Sequence, residues 1–312
     1  MTTNRIPYID TAKTICIFLM IVGHWRTSGL LHTYIYSFHM PALFVISGFL
    51  YKPHSWKRTV VSLGIPVLFF SLINLIYLVA MGRIVLGYYS IRDLFFSFFH
   101  YRYGLSNGLY CGDWFIWALF AIRLLYGDLF KGLIKYYLPI SSVMVVYMAM
   151  EMKLWTVDTI FRGWFIGRLV PCMPFFCLGF YLKDKEWKPE NVSIKAIVSL
   201  CIFALTLPLI NGNCGLLENA FGISYLVFCI NAMLTTLLLF IISFYIQSNS
   251  FFETISKGTL LILGIHMPLL ELVEQAIPSI MSFLSPFIVI AICYYPIKWL
   301  NSSCPLLLGK YR

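Results

Sequence analysis

The sequence contains little charge. Only 12% of its 312 residues are Asp, Glu, Lys or Arg, whereas 60% are hydrophobic. Soluble domains are about 25% charged and about 45–50% apolar, so a soluble globular enzyme, a disordered chain and a fibrous protein are excluded. The apolar residues form long runs and not the short alternating segments of membrane β-barrels. We therefore predict an all-α, polytopic membrane protein.

The sequence also lacks metal-binding motifs and repeats. Its nine cysteines form no CxxC pair and no Cys/His spacing typical of metal ligands, so we expect no metal. Cys111 and Cys214 fall in predicted outer loops, and a disulfide bond between them is an open alternative. We see no internal repeat, no soluble domain and no signal-peptide cleavage pattern. Residues 1–312 are therefore expected to form a single membrane domain.

A transmembrane helix requires about 20 mostly apolar residues. Ten segments are candidates for such helices, and the sixth and the ninth of them are shorter than this length. The predicted spans are residues 8–29, 34–51, 59–81, 114–130, 136–152, 168–182, 194–210, 224–246, 258–273 and 279–300.

The distribution of basic residues predicts the orientation of this bundle. With the N-terminus inside, the inner segments contain 14 Lys and Arg residues and the outer segments contain seven. Cytoplasmic loops carry the excess of Lys and Arg, so we predict that both termini are cytoplasmic. The net charge of +10 is then a consequence of topology, and no nucleic acid partner is expected.

The first predicted span contains three ionisable residues, Asp10, Lys13 and His24. Lys13 and His24 are 11 residues apart, which is about 20° beyond three full helical turns and about 16 Å along the axis. Ionisable residues inside a membrane are usually functional, so this one-sided stripe indicates a site. The alternative is an interfacial Asp10–Lys13 pair with a snorkelling lysine, and a His24 that ends the helix near the outer face.

The second predicted span begins with His39, at about the depth at which His24 ends the first. Because the connecting loop is short, we expect the two imidazoles to approach each other. Pro41 suits the first turn of a helix, and Ser47 and Gly48 permit close helix packing. An interfacial hydrogen bond of His39 is the alternative to a catalytic role.

Taken together, these motifs resemble the acyltransferase-3 family of integral membrane acyltransferases. The resemblance extends over nearly the whole chain. It is carried by Asp10-x-x-Lys13-x10-His24, His39-Met40-Pro41, Ile46-Ser47-Gly48-Phe49, the aromatic run 114–120, Ile255-Ser256-Lys257-Gly258-Thr259 and Ile265-His266.

The resemblance implies transfer of an acyl group, usually acetyl, from cytoplasmic acetyl-CoA to a sugar hydroxyl of a cell-surface or lipid-linked polysaccharide. It places the protein in a bacterial inner membrane. It makes His24 the catalytic candidate and gives Lys13 a role at the donor site. Many relatives carry Arg-x-x-Arg at the start of the third helix, whereas this chain has Lys57-Arg58-Thr59-Val60-Val61, without the second arginine.

The chemistry of acyl transfer to a hydroxyl agrees with these residue types. A histidine can act as the general base near neutral pH, and Lys or Arg can bind the phosphates of the donor. Whether the acyl group is carried on the enzyme or transferred directly is open. The predicted catalytic residues are His24, His39 and Asp10; the predicted donor contacts are Lys13, Lys57, Arg58 and Arg123; and the predicted acceptor contacts are Trp114, Trp117, His266 and Arg162.

Several of these residues have structural alternatives. Trp114 and Trp117 are also typical of an interfacial aromatic belt. Arg123 could form a structural pair within the bundle, His266 a buried hydrogen bond, and Arg162 part of a solvated loop.

Two rival functions stay open at this point. One keeps the fold and transfers succinyl or another acyl group. The other is a transporter or flippase of a polar lipid, because polar stripes also line transport paths. The absence of an inverted repeat and of paired broken helices in the sequence disfavours the transporter.

Overall fold

The computed structural model describes residues 5–25, 29–83, 114–129, 166–216, 220–246 and 248–311. They are helical apart from turns and one antiparallel strand pair, β1 (Cys214–Gly215) and β2 (Ala220–Phe221), in which Cys214 is opposite Phe221. The all-α prediction is thus confirmed. The helices are α1 (Pro7–His24), α2 (Gly29–Tyr36), α3 (His39–Phe49), α4 (Trp56–Ala80), α5 (Trp114–Ile122), α6 (Ile166–Asp184), α7 (Ile194–Asn211), α8 (Tyr225–Tyr245), α9 (Ser250–Lys257), α10 (Thr259–Ala276) and α11 (Ser285–Ser303).

Five of the described helices are long and apolar enough to cross a membrane. They are α4, α7, α8, α10, and α11 together with the 3-10 turn before it (Ser279–Ser303). Five predicted spans therefore coincide with helices of the required length and composition, and the chain is a multi-pass membrane protein. The predicted span 136–152 lies outside the described residues. The count of ten spans, the cytoplasmic termini and the single domain stay predictions.

The predicted span 34–51 is wrong as one helix, because α2 ends at Tyr36 and α3 begins at His39. Pro41 has no N–H to donate to the carbonyl four residues before it, that of Ser37. In the structure this carbonyl accepts a hydrogen bond from Nδ2 of Asn231, at 3.4 Å. A side chain of α8 therefore satisfies the carbonyl at which the helix is interrupted.

The same arrangement recurs at Pro268 inside α10. Its missing N–H leaves the carbonyl of Gly264 without its helical donor, and Nδ2 of Asn74 donates to this oxygen at 3.0 Å. Both asparagines are buried, with exposed fractions of 0% for Asn74 and 1% for Asn231. In a bilayer, backbone polar groups must be satisfied inside the protein, which accounts for these two amides in otherwise apolar helices.

The chain divides into two compact units. The described residues of the first unit fall in Met1–Lys52 and Pro171–Thr259, and those of the second fall in Pro53–Ile134, Lys153–Val170 and Leu260–Arg312. In the first unit, α1 packs against α3, α8 and α9. In the second unit, α4 packs against α5 and against the C-terminal 3-10 turn Pro305–Leu308.

Helices α3 and α6 of the first unit cross with their backbones in contact. A Cβ atom on Gly48 would lie 1.9 Å from the carbonyl oxygen of Phe176, and a Cβ on Gly179 would lie 1.9 Å from that of Val45. Only glycine fits at these two positions, because the obstructing atoms are backbone. The prediction that Ser47-Gly48 permits close helix contact is confirmed for Gly48.

We expect Gly48→Ala to lower the free energy of unfolding by about 3 kcal/mol, the upper end of the usual cost of overpacking. The measurement is thermal unfolding of the purified protein in detergent. Gly64→Ala is the matched control, because its Cβ would lie 3.5 Å from the Phe120 ring, an ordinary contact. Equal stability of the two variants would contradict the observed crossing of α3 and α6.

Candidate active site

Three imidazoles surround the ring of Tyr36 at the C-terminal end of α1. His32 stacks on this ring, with centroids 3.9 Å apart and planes inclined by 19°. His24 and His39 meet it edge-on, at centroid distances of 6.0 and 5.1 Å. His24 and His39, which we expected to approach each other, thus both contact the ring of Tyr36. We call His24, His32, Tyr36 and His39 the histidine cluster.

Local backbone geometry brings the cluster together. Helix α1 ends at His24, because Trp25 is extended (φ −82°, ψ 95°). His32 and Tyr36 are four residues apart on α2 and so share one face. The interruption after Tyr36 places His39 at the start of a new helix. Gly23 leaves room for the tyrosine, because a Cβ there would lie 3.0 Å from its ring.

Hydrogen bonds determine which nitrogen of His39 is basic. Its Nδ1 lies 2.7 Å from the carbonyl oxygen of Ile35. A carbonyl only accepts, so Nδ1 carries the proton and the lone pair is on Nε2. His24 differs, because its Nδ1 lies 3.3 Å from the Tyr36 hydroxyl, which can donate or accept.

The indole of Trp25 adds a hydrogen-bond donor next to His24 in the chain. Its Nε1 is buried and has no hydrogen-bond partner among the described residues. Buried N–H groups are nearly always paired. This donor is therefore available to a ligand.

Asp10 lies at the other end of α1, about 21 Å from His24 along the helix axis. Arg5 binds its carboxylate with Nη2 at 2.8 Å and Nε at 3.0 Å, and Ser256 donates to it at 2.6 Å. Arg5 also pairs with Glu253 at 2.7 Å. Asp10 thus joins the start of α1 to α9, and the structure does not bring it to the histidine cluster. Lys13, one turn further along α1, is half-buried.

A second group of polar residues lies at the start of α4, in the second unit. Nη2 of Arg123 donates to Nε2 of His54 at 2.9 Å. Nδ1 of His54 in turn lies 3.5 Å from the hydroxyl of Thr59. Arg123 therefore reaches the turn that precedes α4, the helix whose first residues include Lys57 and Arg58. We call Lys57, Arg58 and Arg123 the basic cluster.

Both helices that carry the basic cluster depart from α-helical geometry beside it. Val60–Gly64 and Arg123–Leu129 form π-helical turns. Segments of this kind are rare and occur often at functional sites. The guanidinium of Arg58 also lies over the ring of Tyr311, 5.8 Å from its centroid.

Lys183 is a further partly buried cation, in the first unit and just beyond the predicted span 168–182. Its ammonium donates to the carbonyl of Tyr51. Burial, and then the positive charge of Lys52, lower the pKa of Lys183.

Three of the predicted acceptor residues, Trp114, Trp117 and His266, lie on described helices. The ring of Trp117 is 9% exposed and meets Phe120 edge-on at 6.0 Å, whereas Trp114 is half-buried. His266 is fully buried, and its Nδ1 lies 3.0 Å from the carbonyl of Leu263 in its own helix. This geometry matches the alternative of a buried hydrogen bond.

Some of the predicted residues cannot be placed. Arg162 and Cys111 lie outside the described residues. Cys214 is a buried free thiol that accepts a hydrogen bond from Asn211 at 3.2 Å. Among the described residues, no group of three or more His, Cys, Asp or Glu side chains is arranged to hold a metal ion.

Sequence reasoning missed His32, Tyr36 and His54. The spacing of His32 and Tyr36 at i and i+4 was a signal for these two, because such residues share a helical face. His54 had no comparable signal. It lies in the turn before α4, and only the fold brings Arg123 to it.

Comparisons with known proteins were made for the whole chain. A family model described as an acyltransferase domain matches residues 6–299. Searches of curated proteins and of solved structures each found no match.

Proposed function

Because the chain belongs to the acyltransferase-3 family of membrane acyltransferases, we propose that it is an O-acetyltransferase. In this proposal it moves an acetyl group from acetyl-CoA to a sugar hydroxyl of a cell-surface or lipid-linked polysaccharide. The observation that supports the proposal most is the histidine cluster, which provides imidazoles at the C-terminal end of α1. The proposed location is a bacterial inner membrane, with ten spans and both termini in the cytoplasm.

His24 acts as the general base in this mechanism. Its imidazole takes the proton of the acceptor hydroxyl as the oxygen attacks the thioester carbonyl. The tetrahedral intermediate then collapses, the carbon–sulfur bond breaks, and the imidazolium returns the proton to the leaving thiolate. The products are the sugar ester and free CoA. A positioned base of this kind contributes about 10²–10⁴-fold to the rate.

His39 orients the acceptor. Its Nδ1 is committed to the Ile35 carbonyl, so Nε2 is the nitrogen that can accept a hydrogen bond from a sugar hydroxyl. Because His39 is buried, this bond would form away from bulk water.

The basic cluster binds the phosphates of the donor. Arginine forms paired hydrogen bonds with phosphate oxygens and lysine supplies a point charge. Two observations support this assignment. Lys57 and Arg58 are exposed at the start of α4, and Arg123 donates to His54 in the turn before that helix. Lys13 is a further donor contact, as the family resemblance implies.

We expect His24→Ala to lower kcat for acetyl transfer by at least 10²-fold, because the base is lost. The assay measures free CoA released from acetyl-CoA by the purified protein, with mass spectrometry of the acceptor. Expression and thermal stability equal to those of the wild type are the control. Full activity of this variant would remove His24 from the mechanism.

The same assay separates the rival functions. Acceptor movement without CoA release would indicate a transporter, and preference for succinyl-CoA would indicate a different acyl donor.

Arg58→Ala and Arg123→Ala are each expected to raise KM for acetyl-CoA about tenfold, the cost of losing one charged hydrogen bond. With S-acetylpantetheine, which lacks the adenosine phosphates, both variants should match the wild type. Lys13→Ala is tested in the same way.

Lys298→Ala is the matched control for this experiment. Lys298 also lies over a tyrosine ring, at 4.7 Å from the centroid of Tyr294, but is not part of the basic cluster. Its substitution should leave KM unchanged. Equal impairment of the arginine variants with both donors would show that they do not contact the phosphates.

Trp25 supplies a donor for the developing oxyanion. Its buried N–H has no partner among the described side chains and backbone groups, and such donors stabilise the transition state of acyl transfer. We expect Trp25→Phe, which keeps an aromatic ring, to lower kcat about 10²-fold with little change in KM. An unchanged kcat would rule out this role.

A further inference from the structure

We propose that Tyr36 is a positioning residue for His24. Its hydroxyl oxygen accepts a hydrogen bond from Nδ1–H of His24 and thereby directs Nε2, the basic nitrogen, towards the acceptor hydroxyl. The inference rests on the proposed function, since it assumes that His24 is the base.

The contact between the two side chains allows two arrangements. If the tyrosine hydroxyl donates to Nδ1, the proton of the neutral imidazole is on Nε2. Neither nitrogen is then available as a base, because the only lone pair is occupied by the hydroxyl. If Nδ1–H donates instead, the lone pair is on Nε2, which is then the nitrogen that can accept a proton. A catalytic His24 therefore requires Tyr36 to be the acceptor at the observed separation of 3.3 Å.

The neighbours of Tyr36 restrain its ring in the orientation that this bond needs. His32 covers one face of the ring at 3.9 Å, and the edge-on contact with His39 has a centroid distance of 5.1 Å. The backbone of Gly23 lies so close that a methyl group there would meet the ring at 3.0 Å. A ring restrained on several sides keeps its hydroxyl in place. Partners that orient a catalytic imidazole through its second nitrogen act in this way.

Tyr36→Phe tests the proposal, because it keeps the ring and removes only the hydroxyl. We expect kcat for acetyl transfer to fall about 10- to 100-fold, with KM for acetyl-CoA and for the acceptor unchanged within about twofold. Tyr36→Phe should also have no further effect on the residual activity of His24→Ala, since residues that act through one another are not additive. A merely structural role would lower stability and would stay additive.

Tyr34→Phe is the matched control. Its hydroxyl donates to the carbonyl of Leu205 at 2.7 Å, so the variant loses a comparable phenolic hydrogen bond on the same helix without touching a histidine. We expect its kcat to be that of the wild type.

His32 offers a second test of the same device. His32→Ala removes the ring that stacks on Tyr36 and should lower kcat in part, with KM unchanged within about twofold. A kcat for Tyr36→Phe equal to that of the wild type, while His24→Ala is inactive, would overturn this inference alone. Full activity of His24→Ala would overturn the proposed function as well.

Discussion

The hydrogen bond from Asn231 to the carbonyl of Ser37 is the interaction on which the first unit depends. Pro41 cannot donate to that carbonyl, and a bilayer offers no water to replace the lost bond. The amide of α8 therefore allows the chain to leave α2 and begin α3 within the protein interior. Asn74 donates in the same way to the carbonyl of Gly264 in the second unit. In both units, therefore, an asparagine from another helix satisfies a carbonyl that a proline leaves without its helical donor.

The interruption between α2 and α3 also creates the geometry of the histidine cluster. In a continuous helix, Tyr36 and His39 would project from one surface in a single stack. With a break between them, Tyr36 turns towards the end of α1, where Gly23 leaves it space beside His24. The contact between Gly48 and α6 then holds α3 in its new direction. Helix packing and the arrangement of the imidazoles thus have a common origin.

The two groups of charged residues on the described helices differ in kind. Asp10 forms an ion pair with Arg5 and accepts a hydrogen bond from Ser256, and it thereby connects α1 to α9. The basic cluster joins Lys57 and Arg58 at the start of α4 to Arg123, which donates to the imidazole of His54. Positive charge of this kind, beside π-helical turns, favours an anionic ligand such as the phosphates of an acyl donor.

Composition and hydropathy by themselves showed that the chain is a helical membrane protein and located five spans. They could do so because burial in lipid imposes long apolar runs on the chain. Motif order likewise indicated the family and singled out His24 and His39. The sequence could not show that Asp10 is engaged elsewhere, that His54 meets Arg123, or that Tyr36 lies among three imidazoles. Each of these depends on contacts between residues on different elements, and helical periodicity describes only one element at a time. Tertiary structure decided them. For Tyr36, the break at Ser37 and the packing at Gly23 and Gly48 set the directions of the helices, and no local sequence pattern encodes those directions.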